Sequence, residues 1–180
     1  MEDLDGFSYS PWLVSNVTVD SLPTGQGAPL SWDNVSVHSE SLGYVVATHQ
    51  NIAVHPKGTV LMHYWLFPAP DSAAERRRLG ARSAAEWAEL VLDDLEQVHP
   101  DIRDHVVGVE CMLHAHAMIR PRPGFMWHGK RQKIVDRFPK SIQWVHSDLS
   151  GISIFEEAYV RGTKAAQTIA SARRANARAG

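Results

Sequence analysis

Apolar and polar positions alternate in four stretches of the first half of the chain: Trp12 to Val19, Leu30 to Val37, Gly43 to His49 and Thr59 to Phe67. A period of two sends successive side chains to opposite faces, so each stretch predicts a strand with one buried side. Turn-forming pieces, Leu22-Pro-Thr-Gly-Gln-Gly-Ala-Pro29 and His55-Pro-Lys-Gly58, separate them at the spacing of an antiparallel meander. Pro68-Ala-Pro-Asp71 ends this pattern, and from Ser72 the period becomes helical. A short helical piece reaches about Leu79, Gly80 interrupts it, and Ser83 with Glu86 has the spacing of a capping box. Trp87, Leu90, Val91, Leu95 and Val98 then share one stripe until His99-Pro100 stops the helix. Val106 to Leu113 predicts a further strand, Arg120 to Gly129 a loop, and Ile142 to His146 a last β-like run before the final helix.

The passage into that final helix carries the sharpest chemical signal. Ser147-Asp-Leu-Ser-Gly151 breaks the β-like run, and Ser153 with Glu156 repeats the capping-box spacing, which places the helix start just beyond Gly151. The first turn's unpaired N–H groups point outward with partial positive charge, so the Ser150 to Ser153 amides beside Asp148 form a polar cradle. Such a cradle suits an anion or an electron-rich ring edge. Phe155, Tyr159, Gly162, Ala166 and Ile169 continue as one stripe, with Gly162, Ala165 and Ala166 small enough for close approach by a neighbour.

From His146 to Ala166 the chain resembles the C-terminal flavin-binding motif of the amine oxidase and protoporphyrinogen oxidase-like FAD-dependent flavoproteins. The similarity extends through SYSPWLVSNVTV, WDNVSVHSESLGYVVATHQ, HPDI and HAHAMIRPRPGFMW, most of the chain. Ser147 departs from the pattern by standing where many relatives have glycine. The resemblance implies FAD as cofactor, with Asp148 accepting hydroxyl protons from the flavin's sugar-alcohol chain and Gly151, Ile152 and Ser153 against the ring. Ser150 belongs to the same cofactor-contacting turn. His116, in HAMIRPRPGF, would lie near the substrate cavity and is the candidate catalytic residue, although a hydrogen-bonded structural histidine reads equally well. A small-molecule substrate would pass a hydride from a C–N or C–H bond to the flavin. No lysine is placed by motif.

A dinucleotide-binding half opens with a strand, a GxGxxG turn and a helix, and nothing in the sequence matches. Gly25-Gln26-Gly27 sits in a Pro/Gly-rich turn where no helix can start. The chain therefore reads as half of a cofactor site, inactive alone, with a dinucleotide-binding half or subunit expected. A longer chain, a split enzyme and a flavin-free binding module all fit that reading. The expected architecture is α+β: a mostly antiparallel sheet with a long covering helix and a C-terminal strand-loop-helix. Residues 1–141 form the substrate-type domain, 142–172 the FAD-contacting unit and 173–180 a flexible tail.

Composition narrows the alternatives. With 180 residues, 44% hydrophobic and 21% charged, the chain can bury a sizeable core, and a formal charge of −2 gives no global attraction to nucleic acid or membrane. One cysteine, Cys111, excludes an intrachain disulfide and fits a reducing compartment. No apolar run approaches the roughly 20 residues that span a bilayer, and MEDLDG lacks a signal peptide's features. A cytoplasmic location without membrane contact follows as the expectation. The segment 120–140 interleaves Arg120, Arg122, Lys130, Arg131, Lys133, Arg137 and Lys140 with Phe125 and Trp127, the pattern of a single-stranded nucleic-acid groove. Eight acids between Glu86 and Glu110 oppose it and reduce this to the rival reading. His114 and His116 share a strand face, but a metal site needs a third ligand that only His63 suggests, so no metal is assigned. The six tryptophans suit core packing better than an aromatic cage, and no nucleophile has a recognisable base.

Overall fold

The alternating stretches meet in a five-stranded sheet: β1 (Tyr9–Val19), β2 (Asp33–Asn34), β3 (Gly43–Val46), β4 (Thr59–Leu66) and β5 (Val106–Ile119), in the order β2-β3-β4-β1-β5. Pairing is antiparallel at β2–β3, β3–β4 and β4–β1, with Leu13 opposite Trp65 and Val17 opposite Leu61. The computed structural model describes residues 6–47, 58–68, 73–127, 129–137, 139 and 142–179. Threonine 48 and histidine 49 of the third expected strand, and residues 55–57 of the following turn, lie outside them. The chain divides into two compact units, Ser10–Ala117 and the combination of Met1–Tyr9 with Met118–Gly180. The boundary expected at residue 142 falls inside the second of these, because residues 120–137 fold together with the bend that follows.

In the Ser10–Ala117 unit, Leu13, Ser15, Val17 and Val19 turn to the core on alternate positions of β1, and Leu61 and His63 do so on β4. Three helices supply the other layer: α1 (Ala73–Gly80), α2 (Ala84–Glu96) and α3 (Ile102–His105). Leu79, Trp87, Val91, Leu95 and Ile102 close the cluster around Leu13, Val17, Tyr44 and Leu61. Each such fully buried side chain contributes roughly 1.5–3 kcal/mol. The expected capping box begins α2: the Ser83 amide donates to Glu86 Oε2 at 2.7 Å, and the Glu86 amide donates to Ser83 Oγ at 3.2 Å. Arg103 bridges Glu89, Asp93 and Glu96 at 2.9, 2.5 and 3.0 Å, so one guanidinium gathers three of the acids seen in the sequence.

Three expectations are corrected. Leu30 to Val37 yields only the two residues of β2, because the Asn34 side chain accepts from the Ser31 amide and donates to the Ser31 carbonyl, closing a local turn that competes with the ladder. Val37 is consequently 90% exposed. A Cβ on Gly43, whose φ is 87°, would lie 2.0 Å from the Asn34 carbonyl oxygen, so the approach of β2 to β3 requires glycine there. β5 runs on to Ile119 because its alternation continues beyond Leu113. Ile142 to His146 forms no strand; Ile142, Trp144 and Val145 are exposed, and Val145 reaches the bare α-carbon region of Gly162 instead of a sheet edge.

The other unit contains α4 (Lys130–Asp136), a 3-10 turn at Ser147–Ser150 and α5 (Phe155–Ala179). Its buried apolar side chains include Ile119, Phe125, Ile134 and Leu149, and Phe7 meets Phe125 edge-on at 5.2 Å. α4 was not expected from the sequence, and residues 173–179 continue α5 where a flexible tail was expected. Among the described side chains of α5 only Ala165 is buried, while Phe155, Tyr159, Val160 and Ile169 are exposed. No helix among the described residues is long and apolar enough to cross a membrane.

Candidate functional site

The bend between residues 146 and 153 is built by local hydrogen bonds before any distant contact. His146 Nδ1 accepts from the Asp148 amide at 3.1 Å, the Leu149 amide returns to the His146 carbonyl at 3.2 Å, and Gly151 closes on Asp148 at 2.9 Å. An Nδ1 that accepts carries no hydrogen, so its 3.3 Å separation from the Asp148 carboxylate is proximity without a hydrogen bond. Gly151 then reverses the chain at φ 77°, and the turn delivers it to α5.

Arg131 holds this bend from outside. Its guanidinium donates to the Leu149 carbonyl at 2.8 Å and to the Met126 carbonyl, and lies 5.4 Å from the centre of the Phe125 ring. Phe125 is thereby drawn over Gly151, where a Cβ would come within 3.2 Å of the ring and 3.4 Å of Met126. The ring that Gly151 faces is therefore the chain's own.

Asp148 is the central polar group. Its side chain is 14% exposed, and the Tyr9 hydroxyl donates to Oδ2 at 2.7 Å. Burial, reinforced by this hydrogen bond and by the carboxylate's charge, pushes the Tyr9 hydroxyl well above the usual phenol range. Oδ1 has a looser contact, Ser153 Oγ at 3.4 Å, and Ser153 Oγ itself accepts from the Ile119 amide at 3.1 Å. Ser153 thus ties the bend to the end of β5, and α5 begins at Phe155, two residues after the expected cap. Ser150 Oγ accepts from Arg161 Nε at 2.7 Å, and Ile152 is partly exposed. Of the five expected cofactor contacts, Ser150 and Gly151 are engaged internally, whereas Asp148, Ile152 and Ser153 retain exposed or loosely bonded atoms.

His116 belongs to the Ser10–Ala117 unit, where Arg76 Nε donates to its Nε2 at 3.0 Å. His114 and His116 are both exposed on β5, while His63 is fully buried on β4. Among the described residues no three His, Cys, Asp or Glu side chains gather at one point. Trp65 stacks on Phe67 and Trp87 lies in the core, whereas Trp32, Trp127 and Trp144 are exposed.

A second polar cluster escaped the sequence reading. His63 Nε2 lies 2.8 Å from Asp94 Oδ2, Ser39 Oγ donates its one hydroxyl proton to Asp94 Oδ1, and Ser41 Oγ lies 2.8 Å from Ser39 Oγ. Burial pushes the Asp94 carboxyl up, but bonds from His63, Ser39 and Ser41 outweigh it and leave the group below the usual range. Beside them Tyr44, raised to about 12 by burial, is hydrogen-bonded to His99 Nε2, whose Nδ1 meets the Thr24 carbonyl at 2.9 Å. The serine bonds the aspartate and not the histidine, so within this cluster no base activates a nucleophile. A signal for this cluster was present: Asp94 interrupts the apolar stripe of α2, and His63 falls on the inward phase of β4.

No protein-family model, no curated protein and no solved structure matches the chain.

Proposed function

We propose that the chain is the substrate-domain and C-terminal flavin-contacting part of an FAD-dependent oxidoreductase of the amine-oxidase type, completed by a dinucleotide-binding half on another polypeptide segment. The carrying observation is Asp148: a carboxylate at the mouth of a bend, with one oxygen taken by Tyr9 and the other in a single 3.4 Å contact. A carboxylate offers about four acceptor positions, which leaves capacity for the hydroxyls of a flavin side chain. Bound flavin supplies the hydride acceptor. Asp148 would orient it, Ile152 would present an apolar edge, and Tyr9 would hold the carboxylate in place. The exposed apolar residues of α5 give this reading a surface for the completing half.

The test is reconstitution. The chain alone is expected to be colourless after desalting, and a complex with a GxGxxG-bearing polypeptide is expected to retain flavin absorbance. Asp148→Asn should weaken flavin retention about tenfold without preventing complex formation. A yellow chain alone would overturn the split-site reading, and a flavin-free complex would overturn the flavin reading.

A flavin-free module that binds nucleic acid is the second reading, favoured by Trp127, which is 86% exposed within the basic segment 120–140. Arg131 counts against it, since two of its N–H groups are already given to carbonyls of the chain itself. A labelled oligonucleotide is expected to show no saturable, salt-sensitive binding.

A further inference from the structure

A polar cleft of about 150 Å³ opens beside the bend, lined by Gly129, Arg131, Gln132, Val135, Leu149 and Arg161. It lies wholly within one compact unit, and its lining contains two guanidinium groups and no acid. Two cations sharing one cleft repel each other, an arrangement that an anion between them relieves. Both are also held in place. Arg131 is fixed by the Leu149 and Met126 carbonyls and by the face of Phe125, and Arg161 is fixed at Nε by Ser150. Arg161 Nε is thus spent, and its two terminal nitrogens have no hydrogen-bond acceptor among the described residues. A guanidinium with a terminal pair of donors presents the fork that oxyanions accept.

We propose that Arg161 and Arg131 form a binding site for a small oxyanion, a phosphate or carboxylate group, in this cleft. The volume is roomy enough for such a group together with ordered water, and too small for a whole dinucleotide. Burial first, and Arg131 second, lower the Arg161 pKa, with Glu157 opposing them from one helical turn away. Glu157 is therefore the group against which a bound anion competes for Arg161. Asp136 of α4 is engaged by the Gln132 side-chain amide at 2.9 Å. Arg131 braces the bend, which makes it a positioning residue as well as a donor. Removing Arg161 costs its bond to Ser150 Oγ but leaves the backbone hydrogen bonds of the bend and the Arg131 contacts in place. The site is independent of the flavin reading: it stands on the two arginines whether or not a flavin binds.

Isothermal titration of the full chain with inorganic phosphate, against sodium chloride at matched ionic strength, tests it. Saturable phosphate binding is expected, weakened about tenfold or more in Arg161→Gln and strengthened in Glu157→Gln. Parallel titrations with phenyl phosphate and with acetate separate a free ion from an anionic group on a larger molecule, and phosphoryl from carboxylate chemistry. Loss of response in Arg161→Gln for any of these probes supports the site and names its chemistry. An equal response in the parent chain and Arg161→Gln would show a general salt effect and overturn it, as would no saturable binding of any probe. Circular dichroism of Arg161→Gln that matches the parent excludes unfolding as the cause.

Discussion

Asp94 and Asp148 are both largely buried carboxylates, at 7% and 14% side-chain exposure, yet they sit in opposite settings. Asp94 projects from a regular helix into a packed sheet and meets a fully buried histidine and a serine pair. Asp148 projects from a 3-10 turn and leans on one tyrosine, with its second oxygen loosely held. A carboxylate whose two oxygens are both firmly bonded by the fold is a structural group. One that keeps an oxygen in reserve can receive a ligand. Burial alone does not separate the two; the completeness of the hydrogen-bond shell does.

Breaking the Asp94 side should cost most. Asp94→Ala leaves His63 buried without its partner, and urea unfolding followed by tryptophan fluorescence should show a loss of about 3–5 kcal/mol. A loss within experimental error would mean the cluster is wet and dispensable.

Acid should act on the same group. The folded Asp94 carboxyl lies below its ordinary value of 3.8, so its contribution is present above about pH 4 and fades as pH falls through the lower folded value. Asp101, held at about 2 by the Thr24 amide and hydroxyl, titrates in the same direction. Stability should therefore decline between about pH 4 and pH 2, and Asp94→Asn should flatten the upper part of that decline. An unchanged acid profile in the variant would remove Asp94 from the account.

Tyr9→Phe sharpens the other side. Removing a hydroxyl that donates to a carboxylate should cost about 1.5–3 kcal/mol, seen as faster hydrogen exchange at the Gly151 amide. The raised Tyr9 pKa contributes stability below about pH 10 that is lost as pH rises further. The variant should lose that component of the alkaline decline and keep the part due to Tyr44, whose folded value is about 12. Smallest is Ser83→Ala, which removes the cap from α2 and should cost about 1 kcal/mol in the same urea experiment.

The regular elements were legible because they repeat. β1, β4 and α2 follow periods that burial imposes on every turn or pair of residues, and the Ser83 and Glu86 spacing gave the start of α2 directly. The sites were legible only in part, since their partners come from far along the chain. Asp148 could be singled out from its neighbours, but its bond to Tyr9 spans 139 positions and left no local trace. Arg131 read as one charge of a basic run and serves instead as a clamp on two carbonyls. Ile142 to His146 failed for a related reason. Its apolar pattern is a strand's, but a strand also needs an available edge, and Val145 settles against Gly162.

The ring of Phe125 resting on the naked α-carbon of Gly151 makes those two positions a lock and key inside one chain. Neither can drift alone: a methyl group at 151 strains a turn held at φ 77° and pushes the ring back by a few tenths of an ångström, and a smaller residue at 125 opens a void above the turn. In a deep mutational scan the pair should behave as a single inherited character, intolerant one at a time.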